Sequence, residues 1–214
     1  VLVGLRQEWF TEILNKGTDK ETQAETKAFI PRVGLVIEAS ENINLYSTWV
    51  KGFQPQGANI QSDPERYGGP FDYVKSELHE IGLKTEWFNK RLNATLSVFK
   101  IKQENSLEQS AKTGKPDWRV PVDEESNGFE VDVAGRIAPN WSVVANYAYT
   151  DARIVKLKEE GALKDLNMQR PSTPRHAANF WTKYIIQKGA LEGLGLGVGV
   201  NYVSERLGQV GRRA

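Results

Sequence analysis

The chain has 214 residues and contains no cysteine, one methionine and two histidines. The missing cysteine removes disulfides, thiol nucleophiles and cysteine metal sites together. His79 and His176 have no His-x-His or His-x-x-x-His companion, so no metal site is expected from local spacing. No stretch approaches the roughly 18 consecutive apolar residues of a spanning helix, which excludes helical membrane insertion. Neither sign of charge dominates: 28 Lys and Arg face 27 Asp and Glu. With the net charge at +1 and the basic residues dispersed, nucleic acid is not expected as a partner. Catalytic constellations are missing too. Ser126 and Ser204 have no nucleophile-elbow setting, and Glu124 and Glu125 fall in a polar stretch where solvation is expected. Neither an enzyme nor a cofactor is expected. There is no initiating Met and no signal peptide, and the chain opens inside a strand-like run, so its true start is expected elsewhere.

What the chain does have is alternation. In Phe129 to Ile137 one row holds Phe129, Val131, Val133 and Ile137, and the other Glu130, Asp132 and Arg136. Trp141 to Thr150, Leu194 to Tyr202 and Leu92 to Ile101 repeat the pattern. A segment of this kind is a strand with one apolar and one polar face, and roughly 9 to 11 tilted residues cross a bilayer core. The pattern predicts about nine strands. Tight turns are expected at Ser40 to Asn42, Asn89 to Arg91 and Ala138 to Asn140, with a short link at Gln187 to Gly193. Long polar connections are expected at Thr11 to Lys27, Gly52 to Tyr73, Gln103 to Asn127 and Asp151 to Thr173.

Short and long connections in alternation are the rule of outer-membrane barrels. Trp9, Trp87, Trp141 and Tyr149, near strand ends, suit an interfacial girdle. In a small soluble barrel, Glu80, Lys84, Glu86, Glu130, Asp132 and Arg136 would be buried ions costing several kcal/mol each. A wide, hydrated lumen removes that cost. A soluble β-sandwich binding module, its wet rows facing water and its apolar rows packed together, is the alternative. The glycines at 193, 195, 197 and 199 read as strand glycines that leave the inner wall bare for another backbone. Ligand chemistry is sought in the loops. Arg66, Tyr67, Phe71 and Tyr73 cluster with Gly68 and Gly69, and Trp118 lies between Lys115 and Arg119. Rings beside cations hold a planar or anionic chelate by stacking and charge; the same rings also serve to pin a loop to a barrel rim.

The run Leu45-Tyr46-Ser47-Thr48-Trp49-Val50-Lys51-Gly52-Phe53-Gln54-Pro55-Gln56 resembles a strand end of TonB-dependent siderophore receptors. Glu80-Ile81-Gly82-Leu83-Lys84 and Asn127-Gly128-Phe129-Glu130-Val131-Asp132 are similar to two further strands of that family. Pro139-Asn140-Trp141-Ser142 with Ala145-Asn146-Tyr147-Ala148-Tyr149-Thr150-Asp151-Ala152 resembles its hairpin. Pro174-Arg175-His176, Phe180-Trp181-Thr182 and Gly197-Val198-Gly199 follow in the family's order. The resemblance implies an all-β fold, part of a 22-stranded transmembrane barrel with an N-terminal plug. It implies import of ferric siderophores across the outer membrane of a Gram-negative bacterium, energised by TonB through the plug, with outer-membrane lipid around the wall. Residues 1 to 214 would then be a portion of the barrel domain, without plug, TonB box or final strands. Wall strands do not encode the ligand, so another nutrient chelate or a saccharide stays open as cargo. The family's ligand contacts have no matching motif here, and the loop candidates remain Arg66, Tyr67, Phe71, Tyr73, Trp118 and Arg119. No catalytic or metal residue is expected.

Overall fold

A computed structural model describes residues 1–110, 114–159, 162–209 and 212–213. The strands are β1 (Leu2–Leu14), β2 (Thr22–Ser40), β3 (Ile43–Gln54), β4 (Val74–Trp87), β5 (Leu92–Gln109), β6 (Arg119–Ala138), β7 (Trp141–Glu159), β8 (Ala162–Gln169), β9 (His176–Ile185) and β10 (Gly195–Val203). A small hairpin of β11 (Leu207–Gln209) and β12 (Arg212–Arg213) follows, and two one-turn helices, α1 (Ala58–Gln61) and α2 (Pro64–Tyr67), lie between β3 and β4. One antiparallel sheet runs β1-β2-β3-β4-β5-β6-β7-β9-β10, with β8 paired to the outer half of β7. From β1 to β7 each strand neighbours the next in sequence, as in an up-and-down meander, and β9 and β10 continue it beside β7.

Register explains the alternation. Ile37, Leu45, Leu83, Leu96, Val131 and Tyr147 are successive cross-strand partners from β2 to β7, continued by Ala178 and Tyr202 on β9 and β10. One residue along each strand, on the opposite face, stands an equally continuous row: Glu38, Asn44, Lys84, Thr95, Asp132, Asn146, Asn179 and Asn201. A one-residue slip anywhere would mix the two rows, so the sequence pins the register. The apolar row is not packed against a second layer. Leu5 is 70% exposed, Ile81 62% and Val198 62%, and many neighbours on that face are comparably open. Contiguous apolar surface on this scale is far beyond what a soluble monomer presents to water, and lipid is the solvent that removes the penalty. No second sheet covers that face among the described residues, which sets aside the sandwich. From Ile137 to Phe129 the apolar stretch of β6 rises roughly 20 Å at a barrel tilt, close to a bilayer core.

Connections alternate as expected: tight turns close β2–β3, β4–β5 and β6–β7 at one end, and the long connections lie at the other. Asn140 donates from its side chain to the Ile185 carbonyl at 2.9 Å, tying the β6–β7 turn to β9. Three of the expected polar loops are mostly strand. β1 and β2 run out to Leu14 and from Thr22, β5 and β6 to Gln109 and from Arg119, and β7 and β8 fill most of Asp151 to Thr173. Beyond the lipid no apolar face is needed, so the period-two signal fades while backbone pairing continues, with bulges between Gln103 and Ser106 of β5 and between Ile154 and Lys156 of β7. The remaining loop, Gly52 to Tyr73, contains the two helices. Pro64 occupies the first turn of α2, and Asp63 caps it by accepting from the Arg66 amide at 3.2 Å.

Candidate functional site

The polar face is the wall of the barrel interior. Its row of side chains is hydrogen bonded where amides meet: Asn179 Nδ2 donates to Asn146 Oδ1 at 2.7 Å. Aromatic rings on this wall lie over the glycine directly opposite on the next strand. Tyr46 covers Gly82, Phe99 covers Gly128, and Trp181 covers Gly199 together with Gly197. A Cβ at Gly197 would stand 2.9 Å from Trp181 Cζ2, and one at Gly195 would stand 3.1 Å from Lys183 Cε. These glycines therefore do not await another backbone, as their alternation suggests; their own neighbour strand lays a side chain across them. Gly193 is not in the strand at all but in the turn before it, at φ +85°. Val36, Val144 and Trp181 stand exposed on the same wall, which is thus mixed and not purely hydrophilic.

Above the lipid-facing stretch, the interior face of the outer extension forms the most buried part of the chain. Val120, Val122, Ala152 and Ile154 are buried there, Val122 at 1% exposure. Glu124 sits among them at 4%. Its polar sequence context suggests a solvated carboxylate, and the structure corrects this: the backbone alternation of β6 turns it inward with Val120 and Val122. One carboxylate oxygen meets Arg170 Nε at 2.6 Å, and the other finds no hydrogen-bond partner among the described residues. Burial raises the Glu124 pKa above the ordinary carboxylate value, and Glu108 adds to this, while Arg170 and Ser106 oppose it. Glu125, pointing the other way, pairs with Lys100 at 2.9 Å. Lys158 ties β7 to β6 and to the β5 bulge, reaching Asp123 at 2.6 Å and Asn105 Oδ1 at 2.8 Å.

The six loop candidates divide. Arg66, Tyr67 and Trp118 come together in a clasp between two outer connections. Arg66 pairs with Asp117 at 2.7 Å and lies over the Tyr67 ring at 5.1 Å, its pKa raised by the hydrogen bond and the charge of Asp117. The Trp118 indole covers Gly68, whose φ of +95° closes α2, and Lys115 sits 4.5 Å above that indole. Phe71 is held through its backbone by Gln61, which donates to its carbonyl at 2.7 Å and accepts from its amide at 2.8 Å. Tyr73 packs edge-on against Phe53 at 4.5 Å. Arg119 starts β6 opposite Gln109. No local motif marks Asp117, Glu124 or Arg170 as partners; only the β6 alternation, carried back through Ser126 to Val122, places Glu124 on the inward face.

A one-sidedly apolar antiparallel meander with paved interior glycines and tied outer extensions is the wall of a membrane β-barrel. A family model described as TonB dependent receptor-like, beta-barrel, matches residues 1–212, and the chain belongs to that family. Among curated relatives, the metal-pseudopaline receptor CntO of Pseudomonas aeruginosa is 30% identical over 210 residues, covering 95% of this chain and 28% of that protein. The catecholate siderophore receptor Fiu of Escherichia coli is 30% identical over 183 residues, covering 80% of this chain and 22% of its own. The chain thus spans less than a third of the length of either relative. The closed-form crystal structure of Fiu, the ferric-catecholate import receptor, superposes with a TM-score of 0.70 at 23% identity, over 95% of this chain and 32% of that one. These relatives are receptors by name, not enzymes.

Proposed function

We propose that this chain is part of the barrel wall and outer vestibule of a receptor that imports ferric siderophores across the outer membrane of a Gram-negative bacterium, energised by TonB. The family match along residues 1–212 carries the reading. Several relatives are named for siderophores: a ferric-pyoverdine receptor of a Pseudomonas strain and the catecholate receptor Fiu among them. Among the described residues strands β1 and β10 each have one unpaired edge, and lipid tolerates none, so further strands close the wall, to 22 in the family's pattern. The mixed interior face, with Trp181 and Val144 beside Asn146 and Asp132, suits contact with a plug domain better than an open water channel. Energy from TonB enters through that plug. Arg66, Tyr67 and Trp118, with the nearby Phe71, Tyr73 and Arg119, are assigned to the ligand's entrance, where rings and guanidinium groups meet an anionic chelate.

Iron-limited growth on a panel of ferric siderophores, with the gene intact and deleted, tests this; unchanged uptake of every siderophore rejects it. A second reading rests on the name of one relative, the metal-pseudopaline receptor: the cargo is a chelate of another metal ion. Loss of uptake confined to non-ferric chelates in the same panel selects it.

A further inference from the structure

We propose that Asn105, in the β5 bulge, is the positioning residue of the ligand entrance: it seats both roots of the Gly52 to Tyr73 connection on the barrel wall. The inference rests on the reading of that connection as the entrance.

A bulge breaks the ladder locally and re-aims a side chain, and this one aims an amide. Pairing of β5 with β6 passes from Gln103 opposite Glu124 to Ser106 opposite Val122, which leaves Glu104 and Asn105 against Asp123 alone. Asn105 stands at φ +63°, in the left-handed region that Asn and Asp adopt more readily than other side chains. Among the described residues it is the one non-glycine residue inside a strand to do so. All four of its polar groups are engaged. Its amide donates to Asp123 Oδ1 on β6 at 3.3 Å, and its Oδ1 accepts from Lys158 Nζ on β7 at 2.8 Å. Those two bonds hold it to the wall. Its carbonyl accepts from Gln56 Nε2 at 2.8 Å, and its own Nδ2 donates to the Tyr73 carbonyl at 3.1 Å. Those two hold the loop.

Gln56 and Tyr73 lie near the two ends of the connection, and Gln56 closes these ends on each other by donating to the Asp72 carbonyl at 3.0 Å. The Asn105 amide fits only one way round, because the Tyr73 carbonyl only accepts and the Lys158 ammonium only donates. These roots carry the rest of the entrance: Gln61 clips the Phe71 backbone from the middle of the loop, and Arg66 meets Asp117 at its tip. The tip pair is exposed and contributes little, whereas the bonds of Asn105 to Gln56, Tyr73 and Lys158 are half-buried. Groups that meet a ligand work only when a second layer of hydrogen bonds holds their support in place. Asn105 is that layer for the loop.

Pulsed electron resonance of the full-length receptor tests this, with spin labels at Glu65 on the loop and Glu41 in the β2–β3 turn at the other end of the wall. The distance distribution should be narrow. N105G keeps the left-handed backbone but removes the side-chain amide, and should broaden it. N105D keeps the acceptor for Lys158 and loses only the donor to Tyr73, so it should broaden the distribution as well, even if N105G fails to assemble. Glu104→Ala, in the same bulge but opposite Lys75, should leave it narrow. Ferripyoverdine and a ferric tris-catecholate are the binding probes. With the seated loop reduced to a minority, N105G and N105D should weaken whichever probe the wild type binds about threefold. A broad distribution in the wild type, an unchanged one in both Asn105 variants, or equal broadening by E104A overturns the proposal; lowered thermal stability with the distribution unchanged makes Asn105 structural only. Broadening with unaltered affinity removes the entrance reading and leaves the seat standing. A wild type that binds neither probe counts against the siderophore reading, while the distance distribution still decides the seat.

Discussion

The lower and upper halves of β5, β6 and β7 are continuous strands with opposite polarity. Below Phe129 the outward face is apolar, through Leu96, Val131 and Tyr147, and the inward face is polar, through Thr95, Asp132 and Asn146. Above it the outward face carries Lys102, Glu125 and Arg153, and the inward face buries Val120, Val122, Ala152 and Ile154. The hydrogen-bonded ladder passes from one half to the other, so backbone pairing is indifferent to which side is greasy. Solvent decides: lipid lies outside the lower half, water outside the upper half. The same strand alternation thus serves a membrane wall and, a few residues further on, a small folded core.

Reversing the lower half should have the largest effect. Val131→Arg puts a cation on the lipid face near the midplane and should cost ~2–4 kcal/mol in equilibrium unfolding of the full-length receptor from lipid bilayers. Asp132→Arg, one residue on and facing the lumen, should cost much less. Equal costs would mean that the two faces have been assigned wrongly.

In the upper half the sensitive point is Glu124. Arg170→Ala would leave its carboxylate buried with one fewer partner and should destabilise the extension by about 1–3 kcal/mol. Burial raises the folded-state pKa, so the native extension binds a proton more tightly than the unfolded chain does. Its stability contribution is therefore complete below the ordinary value of 4.5 and falls as pH rises through the higher folded value. Amide hydrogen exchange of β6 to β8 in the intact receptor should quicken with pH across that window beyond its intrinsic pH dependence, and Glu124→Gln should flatten the excess. An excess that persists unchanged in the Gln variant would remove Glu124 as its source.

How much of this was written in the sequence follows the same division. Where lipid faces the strand, each outward residue must be apolar, and Phe129, Val131, Val133 and Ile137 announce both strand and face. In the extension water lies on the outward side, so no outward residue there has to be apolar. Val120 and Val122 do stand on one row, between Arg119, Pro121 and Asp123, but Ser126, Glu124 and the bulges hide the continuity, so Gln103 to Asn127 reads as loop. The clasp of Arg66 with Asp117 joins residues 51 apart in sequence through two loops, and nothing local encodes it. The paving of Gly199 by Trp181 is equally non-local, since the register of β9 against β10 alone brings them together. Gly199→Val should displace the indole and cost about 1–2 kcal/mol by overpacking, with a shift in Trp181 fluorescence in the full-length receptor as the readout. An unaltered emission from that tryptophan would show that the ring does not lie there.

The smallest effect is expected from the outward ladder of Lys51, Glu77, Lys102, Glu125 and Arg153, whose signs alternate across five strands. Directly opposed charges in a sheet contribute only ~0.2–1 kcal/mol, and exposed ones lie at the low end. Glu125 is shared unequally: Lys100 approaches it to 2.9 Å, Lys102 to 3.9 Å. Lys100→Ala should therefore cost more than Lys102→Ala, although Lys102 is the direct cross-strand partner. Lys102→Glu should cost most of the three, because it sets like charges against Glu77 and Glu125 at once. Each difference should shrink in high salt, since the screening length falls to about 3 Å at 1 M. Unfolding of the three variants at low and high ionic strength checks the order; a penalty for K102E that salt leaves untouched would place Lys102 in packing, with its stem against the strand and not its charge in the ladder.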